Sequence, residues 1–143
     1  MGNFIGVSGL VLCVILCGLG SSIGLFKTGS AAAGVLGENP KKFSKVLVLV
    51  LLPATQGIYG FVLAIIASGK VGSLTVSQGW ELFAKSMPLA IMGLASAFFQ
   101  GITAVKCIYA AAKEDSVAGK LILFPAMIEF YAILALVISI ILV

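Results

Sequence analysis

The sequence contains no histidine and no arginine, and charged residues make up only 10% of its 143 residues. A soluble domain of this size carries about 25% charged residues. Hydrophobic residues account for 61% of the chain, so the composition indicates a protein that lies almost wholly in a membrane. The length leaves no room for a separate soluble domain, and no GxxxxGK(S/T) loop is present, so we do not expect the chain to hydrolyse nucleotides on its own.

The few cysteines and scattered basic residues argue against a metal centre, a disulfide framework or a nucleic-acid site. The three cysteines, Cys13, Cys17 and Cys107, are an odd number in apolar sequence with no histidine beside them. This pattern favours packing roles over a metal centre or a disulfide framework. The basic residues are nine scattered lysines rather than a clustered face, so nucleic-acid binding is not expected. No organic cofactor is expected either.

Four apolar segments are each long enough to cross about 30 Å of hydrocarbon. The sequence therefore predicts an all-α membrane protein with four transmembrane helices, at residues 3–36, 43–68, 77–113 and 119–143. The first and third would exceed roughly 50 Å at 1.5 Å per residue, so we expect them to project beyond the bilayer. The first segment has no basic flank, its first lysine being Lys27, so we expect it to be retained rather than removed as a signal peptide.

The lysines indicate how the helices are oriented. Five of them flank the first and third loops, and two lie on the side of the second loop: Lys41, Lys42, Lys45, Lys113 and Lys120 against Lys70 and Lys85. Cytoplasmic loops carry the excess of lysine, so we predict that loops one and three face the cytoplasm and that both termini face outside.

The chain also repeats itself. The stretch LLPATQGIYGF at 51–61 aligns with LFPAMIEFYAI at 123–133. We therefore predict two tandem copies of one helical hairpin, at residues 1–72 and 73–143, with both hairpin loops on the same side of the membrane. In this alignment Gly57 stands where the second copy has Glu129, so only one hairpin carries an intramembrane carboxylate.

Polar side chains on three predicted helices lie at one depth. Gln56, Gln100 and Glu129 lie 11, 13 and 9 residues into their helices, counted from the lysines that flank the cytoplasmic loops, Lys45, Lys113 and Lys120. These counts correspond to roughly 14–20 Å, close to the middle of the membrane. Thr55 adds a hydroxyl group beside Gln56. Glu129 is the only acidic residue deep in any segment, and a carboxylate at such a position indicates a functional site.

The Glu129 carboxylate can be neutralised by a proton or by a metal cation. A proton requires the carboxylate and one hydrogen-bond partner, whereas a hard cation requires several oxygen ligands. Thr55, Gln56, Gln100 and Glu129 supply four side-chain oxygens, which favours Na+ over H+. Pro53 removes one backbone N–H and can loosen the local turn, which would free carbonyl oxygens.

Alternative roles stay open on these patterns alone. Gln and Thr side chains in membrane helices also hydrogen-bond to neighbouring helices, and Tyr59 either packs or bonds to the carboxylate. One competing function is a small proton-coupled secondary transporter that uses Glu129, and another is a four-helix membrane enzyme or assembly protein. Few aromatic residues surround Glu129 to enclose an organic substrate, and an enzyme would need more titratable groups within the membrane.

The stretches LLPATQGIYGF, FFQG and PAMIEFYAIL resemble the proteolipid rotor-ring subunit of V-type and A-type rotary ATPases, the 16-kDa c or K subunit. The resemblance covers essentially the whole chain and is strongest to the bacterial Na+-transporting branch, which implies that the protein lies in a bacterial plasma membrane. It implies that the backbone carbonyl of Leu52 joins four side chains as ligands of Na+, with H+ as the other possible cargo: Thr55, Gln56, Gln100 and Glu129. It also implies that Tyr59 bonds to the carboxylate.

The same resemblance implies a set of partners. Identical subunits would form a closed ring in the lipid bilayer, and the ring would rotate against a membrane stator subunit. A central stalk would meet the cytoplasmic loops around Lys41–Lys45 and Glu114–Lys120. Ion loading at Glu129 would be coupled to ATP hydrolysis or synthesis in separate subunits, so the chain would not be an enzyme on its own.

Overall fold

The computed structural model describes residues 1–143 and contains only helices, turns and short loops. Three short 3-10 turns precede or join the α-helices, at Pro40–Lys42, Leu52–Ala54 and Asp115–Val117. The six α-helices are α1 (Gly2–Glu38), α2 (Phe43–Leu51), α3 (Thr55–Ser68), α4 (Val76–Lys113), α5 (Ala118–Leu121) and α6 (Leu123–Leu142).

These helices form four stretches that are long and apolar enough to cross a membrane. We refer to them as spans one to four: Gly2–Glu38, Pro40–Ser68, Val76–Lys113 and Asp115–Leu142. The predicted fold class, an all-α membrane protein with four transmembrane helices, is therefore confirmed. Spans one and three are the longest, at 37 and 38 residues, and would extend well beyond about 30 Å of hydrocarbon.

Spans two and four are each interrupted beside a proline. Span two tightens into the 3-10 turn Leu52–Ala54 around Pro53, and span four breaks at Ile122, three residues before Pro125. A proline has no N–H to donate to the preceding turn, so the regular helical bonding is lost near it. The aligned segments of the two hairpins therefore share a local distortion as well as a sequence.

Spans one and three pack side by side at the centre of the molecule and run in the same direction. At one end, a Cβ atom on Gly2 would lie 2.1 Å from the carbonyl oxygen of Thr75, and near the middle a Cβ atom on Gly101 would lie 2.7 Å from the Cα atom of Gly24. Glycine at these positions permits backbone approach that any side chain would prevent. The equivalent helices of the two hairpins thus form the core of the fold.

The outer surface is apolar, as expected for a protein whose solvent is lipid. Large side chains on spans two and four are exposed, including Phe61 at 58%, Phe124 at 59% and Ile141 at 71%. Several polar side chains are fully buried in the interior instead, among them Gln56 and Gln100. This arrangement reverses the usual distribution in a soluble protein.

Contacts at the two ends tie the hairpins together. The ammonium group of Lys42 in the first loop lies 2.6 Å from Oδ1 of Asp115 in the third loop, so both hairpin loops are at one end of the molecule. At the opposite end, the Asn3 side chain donates to the Gly72 carbonyl and accepts from the Leu74 N–H, at 2.7 and 2.8 Å. The amine of Lys70 also donates to the carbonyl of Val143.

Candidate ion-binding site

The Glu129 carboxylate is buried between spans two, three and four. One of its oxygens, Oε1, accepts a hydrogen bond from the Tyr59 hydroxyl at 2.6 Å, and the other, Oε2, accepts one from the Gln100 amide at 3.2 Å. Only 9% of the residue is exposed. The carboxylate is thus fixed by one donor from span two and one from span three.

Gln100 and Gln56 continue this network across the interior. The Gln56 amide donates to Oε1 of Gln100 at 2.8 Å and to the hydroxyl oxygen of Ser96 at 3.0 Å. The Gln100 amide donates, in addition, to the Pro125 carbonyl at 3.2 Å. Both glutamine side chains are completely buried. Two glutamines in such a position cost free energy unless each polar atom has a partner, and each atom has one here.

The Thr55 hydroxyl lies where span two resumes after its 3-10 turn. It is 3.0 Å from the Leu52 carbonyl oxygen and 3.3 Å from Oε1 of Gln56, either of which can accept its hydrogen. The Leu52 carbonyl also accepts the Thr55 backbone N–H. The 3-10 turn around Pro53 therefore brings the Leu52 oxygen within hydrogen-bond distance of both the Thr55 hydroxyl group and the Thr55 N–H.

Span one supports the site from behind without reaching the carboxylate. The Ser21 hydroxyl oxygen accepts from the Gly57 N–H at 2.8 Å, and the Thr28 hydroxyl lies 2.9 Å from the Val50 carbonyl oxygen, which can accept its hydrogen. A Cβ atom on Gly24 would lie 2.5 Å from the Cβ atom of Pro53. These contacts hold the interrupted part of span two against span one.

No cationic side chain balances Glu129. The structure contains two ion pairs, and both are near the ends of the molecule, at Lys42–Asp115 and Lys85–Glu81. A buried carboxylate without a basic partner must be neutralised by a proton or by a bound cation. Amide, hydroxyl and carbonyl oxygens next to the carboxylate are the donor types that hard cations prefer. The chemistry of this donor set therefore fits a small hard cation.

The structure brings the residues singled out from the sequence into one hydrogen-bonded network, which comprises Leu52, Thr55, Gln56, Tyr59, Gln100 and Glu129. Pro53 is buried beside them. Tyr131, the counterpart of Tyr59 in the second hairpin, is instead 61% exposed and takes no part.

Two side chains that support the site were not identified from the sequence. Ser96 accepts from the Gln56 amide, and Ser21 accepts from the Gly57 N–H. A signal for Ser96 was available, because it lies four residues before Gln100 and thus on the same face of a helix. Ser21 gave no comparable signal, since its partner depends on how spans one and two are aligned.

The fold and this site define a multi-pass membrane protein that is built from a duplicated helical hairpin and has one buried carboxylate within its spans. Comparison with known proteins gives a family. The family model for the ATP synthase C subunit matches the chain twice, at residues 8–67 and 83–142, once in each hairpin. The chain belongs to the ATP synthase C subunit family.

Individual relatives cover nearly the whole chain. It is 43% identical to the V-type sodium ATPase subunit K of Enterococcus hirae, across 99% of this chain and 92% of that protein. It is 41% identical to the A-type ATP synthase subunit K of Methanocaldococcus jannaschii, across 96% of this chain and 61% of that protein. Identity to the 16 kDa proteolipid of the V-type proton ATPase of Nephrops norvegicus is 25%, across 96% of this chain and 88% of that protein.

Proposed function

We propose that this chain is the ion-carrying subunit of a rotary ATPase, and that it moves Na+ across the membrane on Glu129. The observation that carries the proposal is a single buried carboxylate that has no basic partner and that shares one hydrogen-bonded network with two glutamine amides and the Tyr59 hydroxyl group. The 43% identity to a sodium ATPase subunit K supports the same function. The relatives are named as subunits, and this chain does not hydrolyse ATP by itself.

The proposed Na+ ligands are the Leu52 carbonyl oxygen and the side-chain oxygens of Thr55, Gln56, Gln100 and Glu129. Some of these oxygens already accept hydrogen bonds, as Oε1 of Gln100 does from the Gln56 amide NH2 group. Na+ binding would replace such bonds by ion contacts, so the network would rearrange locally. Tyr59 is not a ligand in this proposal, and its hydroxyl orients the carboxylate.

The burial of the two glutamines favours Na+ over H+ as the transported ion. A proton would need only the carboxylate, which already has two hydrogen-bond donors in Tyr59 and Gln100. Gln56 and Thr55 do not bond to Glu129 directly, so they would not stabilise its protonated form. A cation that is shared among several oxygens uses all of them.

We propose that several copies of the chain form a closed ring that rotates against a membrane stator subunit. The exposed apolar side chains on spans two and four would contact lipid, neighbouring copies of the chain and the stator subunit. In the proposed orientation, loops one and three are cytoplasmic and meet the central stalk, and both termini are outside. The excess of lysines at the end that carries the Lys42–Asp115 pair supports this orientation.

Carbodiimide labelling of purified protein tests the transported ion. Carbodiimides attack a protonated carboxyl group, so Na+ bound at Glu129 should slow the reaction at fixed pH. We expect millimolar Na+ to protect Glu129, identified by peptide mass spectrometry, and equimolar K+ to leave the rate unchanged. Labelling that responds to pH but ignores Na+ would indicate a proton carrier and would leave Thr55, Gln56 and Gln100 with packing roles.

The same experiment also tests the rotary assignment. The absence of any reaction at Glu129, over a pH range in which the exposed Glu81 reacts, would contradict an ion-exchanging carboxylate altogether. Gel electrophoresis of the untreated protein provides the second measurement, because a closed ring should migrate as one large species. A monomer or dimer under the mildest detergent conditions would favour a small secondary transporter.

A further inference from the structure

The helical bonding of span two is interrupted where three of the proposed ion ligands lie. α2 ends at Leu51 and α3 begins at Thr55, with the 3-10 turn Leu52–Ala54 between them. We call residues 52–56 the ligand turn. The last carbonyl groups of one α-helix and the first N–H groups of the next have no partner within their own helix. The backbone on each side of the ligand turn therefore needs partners from elsewhere.

Span one supplies one such partner on each side of the ligand turn. Before the turn, the Thr28 hydroxyl donates to the carbonyl of Val50, near the end of α2, at 2.9 Å. After the turn, the Ser21 hydroxyl oxygen accepts from the N–H of Gly57, the third residue of α3, at 2.8 Å. Thr28 is fully buried and Ser21 is 6% exposed, so water is excluded as a substitute for either hydroxyl group.

The Thr28 hydroxyl has three acceptors within reach, and the Val50 carbonyl is the one that lacks its usual donor. The other two are the carbonyls of Gly24 and Leu25, at 3.1 and 3.3 Å. Both belong to α1, an unbroken helix in which each carbonyl accepts the N–H four residues further on. The corresponding donor for Val50 is Ala54, which lies in the 3-10 turn and bonds three residues back instead.

The two hydroxyl groups and a close backbone contact lie on one face of span one. Gly24 follows Ser21 by three residues and precedes Thr28 by four, so all three face span two. A Cβ atom on Gly24 would lie 2.5 Å from the Cβ atom of Pro53. The Pro53 ring thus packs directly on the backbone of span one, between the two hydrogen bonds.

We propose that Ser21 and Thr28 are positioning residues for the ion site, because they hold the ligand turn in the shape that directs its oxygens to the ion. Cavity size and ligand flexibility determine which hard cation a site accepts. Span one therefore controls the affinity for Na+ and the preference for Na+ over K+. It does not control the protonation of Glu129, whose two hydrogen-bond donors come from spans two and three. This inference rests on the proposed function.

Thr28→Val tests the inference, because valine keeps the shape of threonine and removes the hydroxyl group. Carbodiimide labelling of Glu129 in the purified protein, titrated with Na+ or with K+, measures the affinity for each ion. A hydrogen bond of this kind is worth roughly three- to tenfold in an equilibrium constant. We expect Na+ affinity to fall by that factor and the preference over K+ to narrow. Thr28→Ser keeps the hydroxyl group and should restore both.

Ser21→Ala removes the acceptor on the other side of the ligand turn, and it tests the inference even if Thr28→Val does not fold. We expect a similar loss of Na+ affinity. Ser22→Ala is the control, because the Ser22 hydroxyl donates only to the Leu19 carbonyl in its own helix. This control should bind both ions as the wild type does.

The pH profile of labelling without Na+ separates positioning of the ligand turn from general damage. It should be the same in the wild type and Thr28→Val, and a shifted profile would overturn the inference. Wild-type affinity and ion preference in either folded variant would overturn the role of that residue and leave the proposed function intact. A wild-type protein that Na+ does not protect would overturn both.

Discussion

Glu129 receives hydrogen bonds from Tyr59 and Gln100 on its two oxygens. A glutamine of the same shape can keep both contacts, because its oxygen can accept from the Gln100 amide while its NH2 group donates to the Tyr59 hydroxyl oxygen. Glu129→Gln should therefore fold and assemble normally. It should bind no Na+, measured with radioactive sodium on the purified protein, because no negative charge remains to attract the ion. Glu81→Gln removes an exposed carboxylate near Lys85 and should leave Na+ binding unchanged. Residual binding in Glu129→Gln would place the ion elsewhere.

Ser96 has no direct contact with the carboxylate, and its hydroxyl oxygen accepts from the Gln56 amide at 3.0 Å. Ser96→Ala should leave that amide with one partner fewer and free to turn. A hydrogen bond of this kind contributes about 0.5–1.5 kcal/mol, so we expect Na+ affinity to fall roughly three- to tenfold.

Ser22→Ala is the matched control for Ser96→Ala, because the Ser22 hydroxyl bonds only to the Leu19 carbonyl in its own helix. Na+ titrations of carbodiimide protection on the two variants would compare them directly. Equal affinities would mean that Ser96 only fills space beside Gln56.

On the scale of helices, spans one and three depend on glycine where their backbones meet. Gly101→Ala would place a Cβ atom 2.7 Å from the Cα atom of Gly24, which the helices can accommodate only by separating. We expect a loss of about 1–3 kcal/mol in stability, measured by thermal or denaturant unfolding in detergent.

Gly34 lies on span one with no atom within 4 Å of an added Cβ atom, so Gly34→Ala serves as the control. Alanine favours a helix over glycine by roughly 0.5–1 kcal/mol, and this variant should be slightly more stable. If both variants changed stability alike, close packing of the two spans would not be what Gly101 provides.

The sequence was sufficient to predict the four spans and to bring polar residues of three spans to one level. Long apolar segments predict membrane helices because lipid requires every backbone group to bond internally, and counting from the lysines placed Gln56, Gln100 and Glu129 at one level. The hydrogen-bond partners within that level could not be predicted. Whether Gln56 bonds to Ser96 or to another residue depends on the rotation and offset of two helices, which the packing of glycines such as Gly24 and Gly101 determines.

The local effect of Pro53 was predicted only in part. We expected Pro53 to loosen the local turn, and span two instead tightens into a 3-10 turn there. The new partners of the backbone carbonyls near this turn could not be predicted, because the donor to the Val50 carbonyl is the Thr28 hydroxyl group on another helix. The site's ligand set remains a prediction that the experiments on Glu129 address.

On the scale of the whole chain, only the second of the two hairpins carries a carboxylate within the membrane. Gly57 stands at the position of Glu129, and span one occupies the space beside it, since an added Cβ atom would lie 3.2 Å from the Ser21 hydroxyl oxygen. We therefore expect radioactive sodium to saturate at one ion per chain. A stoichiometry of two would reveal a second site in the first hairpin.

The loss of one carboxylate per duplicated chain has a mechanical consequence for the proposed ring. Each step past the stator then moves four helices for every ion, whereas an unduplicated hairpin with its own carboxylate would move two. For a ring with a given number of helices, the work of one full turn is divided among half as many ions. Each ion can then be driven against about twice the electrochemical potential, because the energy per ion is the product of its charge and that potential. In the proposed ring, Gly57 therefore lowers the number of ions moved per turn and raises the gradient against which each ion can be moved.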